Sequence, residues 1–568
     1  MQNEKVAKIL NRIADFMEMK GDVYRMKAYR NAAHSVETLS KDIEDIAFHD
    51  QLKDLPGIGT AIAAKITEII ETGSLQYFEK LKKEYPVDFD ALMAVEGLGP
   101  KTIKLFYEEL GIKNLDDLER YAKRHHLRRL KGMGDKKERK ILDSIEFARK
   151  HSSRKLLGYI MPLAESLKKQ IEETGLAEQV EIAGSIRRRK ESVGDIDILV
   201  ISEKTAQIMD FFISMGEVAE IVINGPLKST VRLKSGIECD LRVFGREVFG
   251  AALMYFTGSK ELNVELRKLS ISKGLKLSEY GLFEGKERVA GQSEKEIFNY
   301  LGLEYIAPEM RENRGEVEAA INGRLPDLIS YSDINGDLET HSNWSDGKNT
   351  IGEMGRAAYK MGYEYMAITD HTGTDRIAGG LGEDELIKQM RMIDDLNDEF
   401  ENFTILKGLE VNIDFNGNLD ISNDILKDMD IVVGSVHSGK GLDVFGISQR
   451  ILKAMENEYV NIIAHPTGRK IQEEKEYDLN LDKIFETSAG TDTFLEINSH
   501  PNRLDLRDIY IKKAVDFGCK LVINSDAHSI NDLGRIDLGV ATARRGWAEK
   551  KDVINTMNLK KLQKLLSV

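Results

Sequence analysis

The stretch Gly184-Ser185-Ile186-Arg187-Arg188-Arg189-Lys190-Glu191-Ser192-Val193-Gly194-Asp195-Ile196-Asp197-Ile198-Leu199-Val200 decides how the middle of this chain is read. A small-residue turn, Gly184-Ser185, is followed by arginines and then by two aspartates that enter an apolar run. Strand side chains alternate between faces, so Asp195 and Asp197 present both carboxylates on one side. Two carboxylates on one face are costly unless a cation lies between them. The Gly-Ser turn offers backbone N–H groups and a hydroxyl to phosphate oxygens, and Arg188 adds charge. A third acid, Asp240, lies in the apolar run Ile237-Glu238-Cys239-Asp240-Leu241-Arg242-Val243. If that strand pairs beside the first, three carboxylates converge. They could then hold two Mg²⁺ or Mn²⁺ ions for in-line phosphoryl chemistry, with Asp240 nearest the attacking hydroxyl. The segment points to nucleotidyl transfer.

Working outward, 568 residues is long for one core and implies several domains. An apolar fraction of 41% and a charged fraction of 31% fit globular protein. The net charge of −14 does not mark the whole chain as a nucleic-acid binder. One local run could, read either as a nucleic-acid face or as a solvated helix face: Lys123, Arg124, Arg128, Arg129, Lys131, Lys136, Lys137, Arg139 and Lys140 are set against only Asp135 and Glu138. Two cysteines, Cys239 and Cys519, cannot make a disulfide framework, which suits a reducing cytoplasm. The N-terminus lacks a signal-peptide pattern, and no apolar run is long enough to span a membrane.

Residues 1 to about 150 have helical spacing, as in Val6, Ile9, Leu10, Ile13 and Phe16. Three copies of one turn punctuate them: Leu55-Pro56-Gly57-Ile58-Gly59, Val95-Glu96-Gly97-Leu98-Gly99-Pro100 and Leu130-Lys131-Gly132-Met133-Gly134. Strands are expected at Glu181–Ala183, Ile196–Ile201, Thr230–Leu233 and Ile237–Phe244, the last two joined by the hairpin turn Lys234-Ser235-Gly236. Residues 307–335 read as a connection. Beyond them, apolar strands alternate with helices for more than 200 residues, a barrel-like α/β pattern with polar residues directly after the strands.

The Gly-Ser-x-Arg-Arg and Gly-Asp-Ile-Asp motifs, Asp240 and Tyr255-Phe256-Thr257-Gly258-Ser259 together resemble the family X DNA polymerases, to which polymerase beta belongs. The resemblance covers residues 1 to about 315. It implies that Asp195, Asp197 and Asp240 bind the catalytic metals. It also implies that Gly184, Ser185, Arg188 and Gly194 contact the incoming dNTP triphosphate. Tyr255, Phe256 and Gly258 would then shape the sugar pocket, with Asn263 on the base's minor-groove edge and Arg267 near the template. The three turns resemble helix-hairpin-helix elements. Their glycines, Gly57, Gly59, Gly97, Gly99, Gly132 and Gly134, would bind DNA phosphate without reading sequence, with Na⁺ or K⁺ as companion. The resemblance further implies a 5′-deoxyribose phosphate lyase with Lys65 as the amine nucleophile. Tyr29 matches that pattern. Ala61 and Arg25 stand where lysines are expected, and both depart from it.

Six of eleven histidines fall after residue 340. Five of them occupy short motifs at the ends of apolar runs, beside Glu339, Asp346, Glu410 and Asp526. Imidazoles and carboxylates so placed suit Zn²⁺ or Mn²⁺. The ordered set resembles the PHP (polymerase and histidinol phosphatase) domain, which implies a distorted (β/α)7 barrel with up to three metals that hydrolyses phosphoesters. Its ligands would be Glu339, His341, Asp346, His371, Glu410, His437, His465, Asp526 and His528. Glu339 departs from the usual His-x-His, from which an altered metal preference is expected. Such a cluster lowers the pKa of bound water from roughly 15.7 towards about 7. His500, Asn502 and Arg503 are candidates to contact a substrate phosphate.

The expected architecture is multi-domain. A helix-hairpin-helix domain (1–85) and a second such region (86–150) precede an α+β palm with the aspartates (151–245). A thumb-like nucleotide-selection part (246–315), a linker (316–335) and the PHP barrel (336–568) follow. The expected function is filling of short gaps in DNA repair by a cytoplasmic monomer acting on gapped or primed DNA. A metal-dependent 3′–5′ exonuclease resides in the barrel, with AP endonuclease or 3′-phosphodiesterase activity as companions. Three other readings stay open here: a polymerase with a purely structural PHP domain, a DNA-binding repair scaffold, and a small-molecule phosphatase in the C-terminal half.

Overall fold

The computed structural model describes residues 2–37, 43–49, 51–93, 95, 98–150, 154–373, 379–437, 444–472 and 476–566. The chain divides into two compact units, residues 1–155 with 202–243 and residues 156–201 with 244–568.

The first unit begins with helices, as the spacing predicts. In Gln2–Lys20 the fully buried Val6, Leu10, Ile13 and Met17 form one stripe, and this stripe faces the core of the helical region. The three turns share one hydrogen bond. Ile58, Leu98 and Met133 each donate a backbone N–H to the carbonyl three residues earlier, at Leu55, Val95 and Leu130. Gly57 and Gly132 take φ of +78° and +80°, where a side chain is strained. Gly59 and Gly99 cap the helices Thr60–Thr72 and Pro100–Leu110. Gly134 accepts from Glu138 N–H at the start of Asp135–Lys150. Gly97 lies outside the described residues. This unit also holds an antiparallel ladder, Val218–Asn224, Lys228–Leu233 and Glu238–Phe244, with the expected turn at 234–236.

In the second unit, Gln179–Ile182 runs antiparallel to Asp195–Ile201, with Ile182 opposite Ile198. Three short antiparallel strands follow at Leu275–Ser278, Gly281–Glu284 and Glu287–Ala290. Seven parallel strands then pair in strict chain order: Gly336–Asp337, Tyr365–Ile368, Thr404–Asn412, Ile431–Ser435, Ile462–Ile463, Phe494–Asn498 and Leu521–Asn524. A parallel bridge between Thr340 and Ala527 brings the ends of the first and last strands together, so the sheet is nearly closed, the barrel expected from sequence. The strands are buried on both faces because helices cover the outside. The strands Gly336–Asp337 and Val218–Asn224 are not foreseen in the sequence. The first is only two residues long, and the second exposes most of its side chains.

The connection differs most from its reading. It contains the helix Glu316–Ile321 and the turn Pro308–Met310, and Arg311 and Glu316 are fully buried. Arg311 pairs with Glu294 at 2.5 Å, and Glu316 accepts backbone N–H groups from Asn313 and Arg314. The charges of Arg311 and Glu316 find their partners inside the protein.

Candidate active sites

Asp195 is exposed and Asp197 half-buried, while Ile196 and Ile198 between and after them are fully buried. The two carboxylates therefore share the open face of their strand. Gly184 faces them at the first turn of the short helix Gly184–Arg187, with φ of +61°. A Cβ there would collide with the Asp197 carboxylate, so glycine is required twice over, by conformation and by space. Arg188 donates through Nε to Glu312 at 3.0 Å and through Nη1 to the Thr257 carbonyl. Its neighbour Arg187 ties Thr257 and Glu294 at 2.7–2.8 Å.

Tyr255 and Phe256 are buried side by side, and Arg267 lies over the Tyr255 ring at 5.4 Å. The Asn263 amide donates to the Tyr255 carbonyl at 2.7 Å, while Ser259 caps the helix Lys260–Ser272. Ser185 and Gly194 are half-buried at the two ends of the turn region.

In the first unit, Asp240 lies opposite Thr230 and accepts its hydroxyl at 2.5 Å. Lys228 and Arg242 reach the same carboxylate at 3.2 and 3.0 Å. Burial pushes this carboxyl up, but Arg242 and Lys228 outweigh it and hold it below the ordinary range. The hairpin pairing makes Thr230 and Lys228 legible as its neighbours, yet sequence reasoning missed both.

Lys65, on Thr60–Thr72, donates to the Ala61 carbonyl at 3.2 Å and lies over the Tyr77 ring at 5.3 Å. Tyr29 is buried, and burial with Tyr77 nearby pushes its hydroxyl up to about 12. In the basic run, Glu138 is internal, bonded to Arg128 and His125, so the exposed surface there is more positive than the sequence shows.

All nine residues of the histidine-rich set meet at one end of the barrel. Glu410, near the end of the third strand, is central. Its Oε2 lies 3.0 Å from His371 and 3.6 Å from His341, and its Oε1 lies 3.1 Å from His437 and 3.6 Å from His465. His341 is also 3.4 Å from Asp526. Asp346 lies 3.3 Å from His528 and 3.8 Å from His371. Glu339 groups with His341 and Glu410. His465 and Asp526 sit at φ of 27° and 53°, backbone held in a costly region at the site.

The fit to cations is direct. Neither Glu339 oxygen accepts a hydrogen bond although the residue is fully buried, and three overlapping groups offer converging donor atoms. Burial and the nearby Glu496 and Glu410 carboxylates push Glu339 well above the ordinary range. Burial lowers His465 to about 4. For His528 burial acts downward, but Asp346 and Asp526 prevail and raise it to about 9. Arg503 approaches Asp526 at 3.8 Å, and His500 bonds to Asn502.

At the barrel site the sequence reading missed Glu496. Fully buried on the sixth strand, it accepts from the His465 backbone N–H at 2.5 Å and from Asn524 at 3.0 Å. Its only signal was an acid inside the apolar run Phe494–Ile497.

Residues 1–75 match the helix-hairpin-helix domain family, 89–146 the SAM-like helix-hairpin-helix tandem, 252–312 the DNA polymerase beta thumb and 337–500 the PHP domain. The chain is 37% identical over 571 residues to the DNA polymerase/3′-5′ exonuclease PolX of Bacillus subtilis, covering 100% of this chain and 99% of that protein. It is 27% identical over 346 residues to DNA polymerase lambda of Arabidopsis thaliana, covering 54% and 62%. A probable phosphatase of Thermoanaerobacter sp. is 33% identical over 232 residues, 39% of this chain and 90% of that protein. Divalent-metal use and DNA binding follow from these domains, and among the described residues no helix is long and apolar enough to cross a membrane. With its helix-hairpin-helix region, beta-type thumb and C-terminal PHP barrel matched along the whole length of a relative, the chain belongs to the PHP-containing family X DNA polymerases.

Proposed function

We propose that this polymerase fills short gaps during DNA repair and that its barrel removes nucleotides or blocked groups from 3′ ends. The observation that carries the second half is Glu410, whose two oxygens each face a different pair of histidines. Glu410 and those histidines would together hold divalent cations, Mn²⁺ or Zn²⁺, which would supply Lewis-acid charge to a bound phosphate. Arg503 and His500 hold the phosphate, and the buried shell around Glu496 keeps the ligands oriented. AP endonuclease and 3′-phosphodiesterase activities belong to the same chemistry.

At the polymerase site Asp195, Asp197 and Asp240 would hold Mg²⁺ or Mn²⁺, which would supply Lewis-acid charge, and Asp240 would take the proton of the primer 3′-hydroxyl. Gly184, Ser185, Arg188 and Gly194 hold the triphosphate. Tyr255, Phe256 and Gly258 wall the sugar, Asn263 meets the base edge and Arg267 lies towards the template. The glycine turns carry backbone phosphate, with Na⁺ or K⁺ there. The boundaries at 85, 150, 245, 315 and 335 separate these roles, and the protein works as a cytoplasmic monomer. Both cysteines are buried, in keeping with a reducing compartment.

The deciding test is a labelled primer on gapped duplex. With dNTPs it is extended to fill the gap, and without them and with Mn²⁺ it is shortened from the 3′ end. An intact 3′ end over a metal series would leave the barrel a structural domain.

Gly184→Ala is expected to slow incorporation about 100-fold, because the methyl displaces Asp197 by roughly an ångström. Its 3′-end degradation serves as the folding control. Lys65 is read as a Schiff-base amine, so borohydride is expected to trap the chain on an incised abasic site. No adduct, or an adduct surviving in Lys65→Ala, rules out that lyase.

A further inference from the structure

A row of alternating charges runs between the turn that follows Gly184 and a helix of the barrel. Arg188 donates to Glu312 at 3.0 Å. Arg545, the last residue of the barrel helix Ile536–Arg545, donates through Nη1 to the same Glu312 oxygen at 3.1 Å and to the Arg188 carbonyl at 2.7 Å. Its Nη2 donates to Asp508 at 2.7 Å, and Asp508 also pairs with Arg314 at 3.0 Å. The side chains of Arg188, Glu312, Arg545 and Asp508 are all between 5% and 11% exposed. Arg545 and Arg188 are 357 positions apart in sequence. None of these residues belongs to the cluster around Glu410.

We propose that Arg545, a residue of the PHP barrel, is a positioning residue for nucleotide binding at the polymerase site, acting through Glu312 and the backbone of Arg188. This rests on the reading of Arg188 as a triphosphate contact. A buried arginine paired one-to-one with a carboxylate is largely neutralised. Arg545 shares the Glu312 oxygen, so the trio Arg188, Glu312 and Arg545 carries a net positive charge, and Arg188 keeps attraction for phosphate. Burial pushes Glu312 up, but Arg545 first and Arg188 next hold it ionised. Asp508, anchored by Arg314, fixes the other arm of Arg545, so its fork cannot swing away. The Arg188 contacts to Glu312 and Thr257 use Nε and Nη1, which leaves Nη2 outside them for a phosphate oxygen. The barrel thereby contributes to synthesis as well as to degradation.

The test is steady-state insertion of one nucleotide by the full-length chain on a gapped duplex, with dNTP titrated, for wild type, Arg188→Ala, Arg545→Ala and the double variant. Arg545→Ala is expected to raise the KM for dNTP about 10-fold, the size of one charge-assisted hydrogen bond, with kcat changed less than about threefold. Degradation of 3′ ends should stay near wild type. In the Arg188→Ala background the same change is expected to add almost nothing, because both act on one contact.

A KM raised by Arg188→Ala but not by Arg545→Ala overturns the proposal alone. So does an equal rise from Arg545→Ala in both backgrounds. A KM untouched by Arg188→Ala overturns the reading of Arg188, and the proposal with it. If Arg545→Ala melts early and loses 3′ degradation, Arg545→Lys decides. It keeps the buried charge but cannot reach Asp508 and Arg188 together, and a smaller KM rise confined to the Arg188 background is expected. A wild-type KM in Arg545→Lys then overturns the proposal.

Discussion

Asp240→Asn is expected to lower single-turnover nucleotide incorporation by about 10³-fold or more, with the apparent affinity for dNTP little changed. Asparagine keeps the shape and can still accept the Thr230 hydroxyl. It loses the negative charge that Lys228 and Arg242 now hold ionised. On the proposed mechanism that charge does two things, holding a divalent ion and accepting the primer hydroxyl proton. Loss of a general base alone is worth roughly 10²–10⁴-fold, and the loss of metal charge adds to it. Two cations left beside a neutral amide also cost stability, so a lower melting temperature is expected alongside. The 3′-end degradation of the same preparation separates the causes: retained degradation with lost incorporation assigns Asp240 to synthesis. Incorporation within tenfold of wild type removes Asp240 from the catalytic set.

Glu410→Gln is expected to abolish 3′-end degradation, by about 10³-fold or more, and to reduce the number of divalent ions retained after gel filtration. The carboxylate faces four histidines within 3.0–3.6 Å, and each oxygen serves two of them. Burial pushes the Glu410 carboxyl up, but His371 and His437, with His465, outweigh it and hold it well below the ordinary range. An amide offers one oxygen and no charge, so it would hold a divalent cation far more weakly. Gap filling by this variant should match wild type, because none of these residues approaches Asp195 in sequence or belongs to its strand. Metal content by elemental analysis is independent of activity. Unchanged metal content with lost degradation would move Glu410 from ligand to general base.

How far the sequence went differs between the two sites. Asp195 and Asp197 are legible because a strand has period two, and Gly184 because only glycine tolerates that turn. The histidine motifs are legible because barrel strands end in short polar segments, whose residues converge whatever lies between them. Glu496 escaped because an acid within an apolar run has no local signature of what it faces. Arg311 and Glu316 escaped for a related reason: a charged run looks the same whether water or a buried partner satisfies it.

The sequence alone showed three aspartates near a small-residue turn, three helix-opening glycine pairs, and nine histidine and acidic residues in barrel order. The aspartate spacing and the glycine pairs follow from local rules of periodicity and conformation, which act over a few residues, whereas the set of nine follows from the resemblance to the PHP domain. Only the tertiary structure decided which groups meet. Glu410 became the centre of its cluster because parallel strands bring four separate loops to one end. Arg188 acquired a partner 357 positions away because Arg545 ends a helix packed in the same unit. Contacts of that range depend on packing of whole elements, and no spacing in the chain encodes them.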